Sequence, residues 1–64
     1  MEFEVANVEK IKKGEFVRKC GKKKVYRLEG YDRSERKYCL QDWDDISRQV
    51  YVKKGTPLEY DFIF

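Results

Sequence analysis

Residues 24–45, KVYRLEGYDRSERKYCLQDWDD, decide the fold. Two runs rich in β-branched and aromatic residues, 25–31 and 37–41, flank the polar segment Asp32-Arg33-Ser34-Glu35-Arg36, and that arrangement reads as a β-hairpin. Tyr26 and Leu28 share a face of the first strand, as Tyr38 and Leu40 do on the second. A side-chain period of two puts Val25, Arg27, Glu29 and Tyr31 on the opposite face. Gly30 marks a bulge or a sharp bend.

Working outward, Asp42-Trp43-Asp44-Asp45 interrupts the strand pattern with three carboxylates around an indole. Residues 47–53, SRQVYVK, resume it, with Val50 and Val52 on one side and Tyr51 on the other. Lys54-Gly55-Thr56-Pro57 is a turn, with Gly55 for backbone freedom and Pro57 as a stop to strand pairing. In the final run Leu58, Tyr60, Phe62 and Phe64 alternate with Glu59, Asp61 and Ile63, a strand whose apolar face is expected to seal the core against the first or second strand.

On the N-terminal side, residues 15–20, EFVRKC, read as a strand with Phe16, Arg18 and Cys20 on one face and Val17 and Lys19 on the other, closed by Gly21-Lys22-Lys23. Ile11-Lys12-Lys13-Gly14 reads as a turn. Phe3, Val5 and Val8 among acidic neighbours suit a short strand with an irregularity at Ala6; a single helical turn through Lys12 is the alternative. Five or six short strands without a sustained helical period indicate an all-β domain spanning residues 1–64. The expected form is a small five- to six-stranded antiparallel SH3-like barrel or a strongly curled sheet, preferred over an OB-fold, which needs more chain and a helix.

Sixty-four residues lie near the lower limit for a fold held by one core, and this raises the weight of self-association as a homo-oligomer. Cys20 and Cys39 form no CxxC pair and the chain contains no histidine, so a structural zinc site is not expected. Met1-Glu2-Phe3-Glu4 is acidic where a leader would be basic, and no apolar run is long enough to cross a bilayer. The expectation is a reducing, cytoplasmic setting, no membrane and no cofactor.

Without histidine the usual general base near neutral pH is missing, and neither a Ser–His nor a Cys–His pair can be assembled within one chain, so an enzyme is not expected. Ser34, Ser47 and Thr56 sit in turns, and the two cysteines read as small thiols. Asp42, Asp44 and Asp45 lack the glycine and distal glutamate of a calcium loop; a local role, Asp44 or Asp45 accepting backbone N–H bonds or pairing with Arg48, is preferred.

Charge is unevenly spread. Residues 10–37 carry twelve Lys or Arg against four acids, while the flanking segments are acidic, so one side should be basic. Arg18, Lys19, Lys22, Lys23, Lys24 and Arg27 are expected to converge at one end of the sheet, with Arg33, Arg36 and Lys37 crowding the next turn and Tyr31 and Trp43 adding stacking area. Such a face suits phosphate backbones, a nucleotide or an acidic protein patch, and equally a solvated surface. Tyr31, Trp43 and Tyr51, with Asp44 or Asp45, suggest a second possibility, an aromatic cage for a cation or a groove for a peptide.

The segments GYDRSERKYC (30–39), DDIS (44–47), KKG (53–55) and DFIF (61–64) resemble short uncharacterised proteins of bacteriophages and gut Bacteroidetes, over most of the chain from Gly14 onward. The apolar–lysine–glycine opening is similar to that of small SH3-like barrels. What the first resemblance implies is provenance, a phage or mobile-element accessory protein. Two functions follow as expectations: a non-enzymatic binding module with a basic, aromatic-flanked face for nucleic acid or another anionic partner, or a phage-encoded inhibitor that occupies a host protein surface or sequesters a nucleotide signal.

Overall fold

The computed structural model describes residues 3–61, so Phe62, Ile63 and Phe64 lie outside the described residues. Six strands form one antiparallel sheet: β1 (Glu4–Asn7), β2 (Phe16–Lys19), β3 (Val25–Asp32), β4 (Lys37–Asp42), β5 (Gln49–Val52) and β6 (Pro57–Tyr60), in the order β1-β6-β2-β3-β4-β5. Among the described residues β1 and β5 do not pair, so the sheet is open; of the two expected forms, the curled sheet is the one seen.

Its core gathers residues from one face of strands across the sheet: Val17, Tyr26, Leu28, Leu40, Val52 and Leu58, joined by Val8 and Ile11 from the β1–β2 connection. A flat single-layer sheet would leave these side chains wet on one side. Leu28, Leu40, Leu58, Val8 and Val17 are buried because the sheet curls over them and a 3₁₀ turn, Val8–Lys10, plugs the open side. Burying a side chain of this size contributes roughly 1.5 to 3 kcal/mol, enough that a handful supports a small domain.

The central hairpin stands in the expected place, and Gly30 marks the bulge, with Leu28 opposite Leu40 and then Gly30 opposite Cys39. Gly30 has φ +119°, a conformation that side chains with a Cβ rarely adopt. The extra residue reverses the alternation. Tyr31 therefore lies opposite Tyr38, on the core side, and not on the outer face with Arg27 and Glu29.

Two further expectations, the irregularity at Ala6 and the stop at Pro57, are corrected, and the inward face of β2 is fixed. On β2 the core residue is Val17, paired with Tyr26, so Phe16 and Arg18 face outward and Cys20 is exposed. On β1 it is Ala6 that packs against the core, while Val5 is 54% exposed; the strand and the helical turn both exist, one after the other. Pro57 does not end pairing but opens β6 opposite Asn7, the first-residue position at which proline is tolerated. β6 then pairs with both β1 and β2.

Candidate basic and aromatic site

β2 ends at Lys19 and β3 begins at Val25, so the lysine run forms the connection between them. Gly21, at φ +79°, makes the reversal, and the Lys22 N–H donates to the Lys19 carbonyl at 2.9 Å. Glu59 holds this loop from the neighbouring strand: its Oε2 accepts the Gly21 N–H at 3.2 Å and its Oε1 meets Arg18 Nη2 at 3.0 Å. The Arg18 guanidinium also stands 5.5 Å from the centre of the Phe3 ring.

Asp42, the last residue of β4, ties the lysine loop to the β4–β5 loop. It is 1% exposed, its Oδ2 is 3.0 Å from Lys24 Nζ, and its Oδ1 accepts the Asp44 N–H at 2.9 Å. Burial, the largest single influence, pushes this carboxyl up, but the Lys24 contact and charge with the Asp44 and Asp45 N–H groups outweigh it, and the net shift is downward. The same contact, more than the accompanying charge attraction, raises Lys24.

Next in the chain, the Trp43 N–H donates to the Val25 carbonyl at 3.1 Å, which fixes Trp43 beside the end of the lysine loop. The indole packs edge to face on Phe16, ring centres 4.9 Å apart at 84°, yet stays 55% exposed. The loop beyond is densely bonded. Gln41 Nε2 donates to the carbonyls of Asp45 and Arg48 at 3.1 and 2.9 Å, and Asp45 Oδ1 accepts the Ser47 hydroxyl and N–H at 2.6 and 3.0 Å. That hydroxyl is the main reason the Asp45 carboxyl lies below its ordinary range. Ile46 is held at the apex, 88% exposed.

At the other end of the hairpin the turn is locally organised. Asp32 Oδ1 accepts the Ser34 hydroxyl at 2.7 Å and the N–H groups of Ser34 and Glu35 at 2.9 and 3.2 Å, and these bonds, the hydroxyl first, hold its pKa down. Arg36 takes φ +57° to close the turn, and Tyr31 and Tyr38 meet edge to face with centres 5.0 Å apart.

The expected basic face is thus two sites. The eight residues of β3 lie between them, roughly 23 Å at about 3.3 Å per residue. Lys19, Lys22, Lys23, Lys24 and Trp43 stand at one end; Arg33, Arg36, Lys37 and Tyr31 at the other. Arg18 and Arg27 lie along the outer face between, Arg18 paired with Glu59 and Arg27 Nε 3.9 Å from Glu29. Lys19 faces the core side, 5.9 Å from the Tyr26 ring centre. Among the described residues no carboxylate is in ion-pair distance of Lys22, Lys23, Arg33, Arg36 or Lys37.

The cage of Tyr31, Trp43 and Tyr51 does not form, because Tyr31 pairs with the start of β4 and Trp43 follows its end. Asp45 takes the local N–H-accepting role expected for Asp44 or Asp45, and among the described residues no acidic cluster is placed to hold a metal ion. Cys20 and Cys39 are both free thiols; burial pushes Cys39 up. Among the described residues no helix is long and apolar enough to cross a membrane. Asp42, Glu59, Gln41 and Ile46 were absent from the expected site. In the alternating run LEYDF nothing separates buried Glu59 from exposed Asp61.

No protein-family model, no curated protein and no solved structure matches the chain.

Proposed function

We propose that the chain is a non-enzymatic binding module whose Trp43 end takes a short single-stranded nucleic acid. The observation that supports this most is the Trp43–Val25 backbone hydrogen bond, which brings the exposed indole to the strand end that the loop carrying Lys22 and Lys23 leads into. Lysine ammonium groups neutralise phosphates and an indole stacks a base, a combination that works on strands whose bases are unpaired. Asp44 and Asp45 at the same end repel a second phosphate row, which favours a single strand over a duplex.

The experiment is a titration of short single-stranded and duplex oligonucleotides from low to physiological salt. With Lys22 and Lys23 engaged, log K against log salt should fall with a slope of about −1.4, at about 0.7 per phosphate for single strands. Binding at low salt that is absent, or that shows no salt dependence, removes the reading.

One observation favours a second reading, an inhibitor that occupies a protein surface, as the phage-like sequence pattern also implies. Ile46 is 88% exposed on a loop whose backbone is held by four side-chain hydrogen bonds, two donated by Gln41 and one each accepted by Asp42 and Asp45. Ile46→Asp leaves oligonucleotide affinity unchanged under the first reading and abolishes partner binding under the second.

A further inference from the structure

The open sheet has two edges, and their residues are complementary. We propose that the chain associates head to tail with a second copy of itself, the β1 edge of one molecule pairing antiparallel with the β5 edge of the next in the register that sets Val5 opposite Tyr51. Direction comes first. In six alternating antiparallel strands the two edge strands run in opposite senses, so a second copy in the same orientation extends the sheet antiparallel.

Side-chain faces come next. Val5 pairs with Glu59 and Tyr51 with Cys39, both on the outer face; Ala6 pairs with Leu58 and Val50 with Leu40, both on the core face. Setting Val5 across from Tyr51 sets Ala6 across from Val50, so both faces continue across the seam. Val5 and Tyr51, 54% and 38% exposed, then cover each other.

Charge selects which edges meet. β5 is followed by Lys53 and Lys54 and preceded by Arg48, and none of its own four residues is charged or proline, the usual guards of an exposed edge. Two β5 edges in antiparallel contact would bring Arg48 of one copy towards Lys53 of the other. In the proposed register Glu4 of β1 instead lies opposite Val52, the last residue of β5, two positions before Lys54 in the following turn. Four residues a side make a short seam, so association is weak and concentration-dependent.

Two measurements test this on the intact chain. Sedimentation equilibrium should give a mass that rises above the 7.8 kDa monomer with concentration and falls back when salt is raised. In a background of Cys20→Ser and Cys39→Ala, mixing Val5→Cys and Tyr51→Cys chains under oxidation should give a crosslinked pair, with neither variant crosslinking efficiently alone. Both positions are exposed, so the fold survives these changes and circular dichroism verifies it. A monomer at every concentration, efficient crosslinking between two Tyr51→Cys chains, or an intrachain disulfide in the Val5→Cys/Tyr51→Cys double variant would each overturn the proposal.

Discussion

At one end of β3, Lys24 reaches a carboxylate that is almost wholly buried, and the backbone of Trp43 is bonded to the neighbouring strand; at the other, Arg33 and Arg36 ride on a turn that Asp32 holds through Ser34 and Glu35. The two ends contain the same kinds of residue, several cations, an exposed aromatic ring and a structural aspartate. They differ in how far along the chain their bonds reach. The Trp43 end is assembled from two loops and depends on the tertiary fold, whereas the Arg33 tip is a local structure that a hairpin makes by itself. A positioned site needs the first kind of support, because a cation and a ring recognise a ligand together only when their separation is fixed.

Substitutions that separate the two ends follow from this, beginning with the largest. Leu40→Ala removes the core residue opposite Leu28, midway along the hairpin, and should cost about 2 to 5 kcal/mol, loosening both ends. Denaturant melts read it. Asp42→Asn should come next in lost stability, and it should also free the Trp43 loop. Its indole emission should shift towards that of solvated tryptophan while amide signals of residues 32–37 stay in place.

The Asp42–Lys24 pair also gives the protein a pH signature. The Asp42 pKa is lowered on folding, so its stabilisation is full above the unfolded carboxyl value of about 3.9 and is lost as pH falls through the folded one. Lys24 is raised, so its share is full below about 10.4 and is lost as pH rises through the folded value. Acid melts of Asp42→Asn should therefore show a shallower loss below about pH 4 than the native chain. Asp32→Ala should have a smaller effect, confined to the tip, since the bonds it removes are exposed and local. Lys23→Ala and Arg33→Ala should each change stability by no more than about 0.5 kcal/mol.

The strands were legible because period-two alternation survives in the sequence, and Gly30 and Gly55 mark a bulge and a turn where they were expected. Which face was inside was less so. On β2 alternation separates Phe16, Arg18 and Cys20 from Val17 and Lys19 without saying which set is inside; Val17 is, and the Lys19 ammonium reaches over Tyr26. Simple alternation sets Tyr31 with Arg27 and Glu29, and the extra residue at the Gly30 bulge inverts it, as it does every later side chain of β3. The burial of Asp42 depends on Lys24, eighteen residues earlier and two strands away in the chain's path, and no local pattern encodes it. The same distance explains why the two cation clusters were expected together: they are close in sequence, and β3 parts them.

Trp43 is the chain's single tryptophan, so its emission reports on one of the two ends and not the other. Titrating a short oligothymidylate at low salt should quench that emission, with the effect weakened by Lys22→Ala and Lys23→Ala together and untouched by Arg33→Ala and Arg36→Ala together. Unchanged emission during binding that depends on Arg33 and Arg36 would contradict the assignment of the ligand to the Trp43 end.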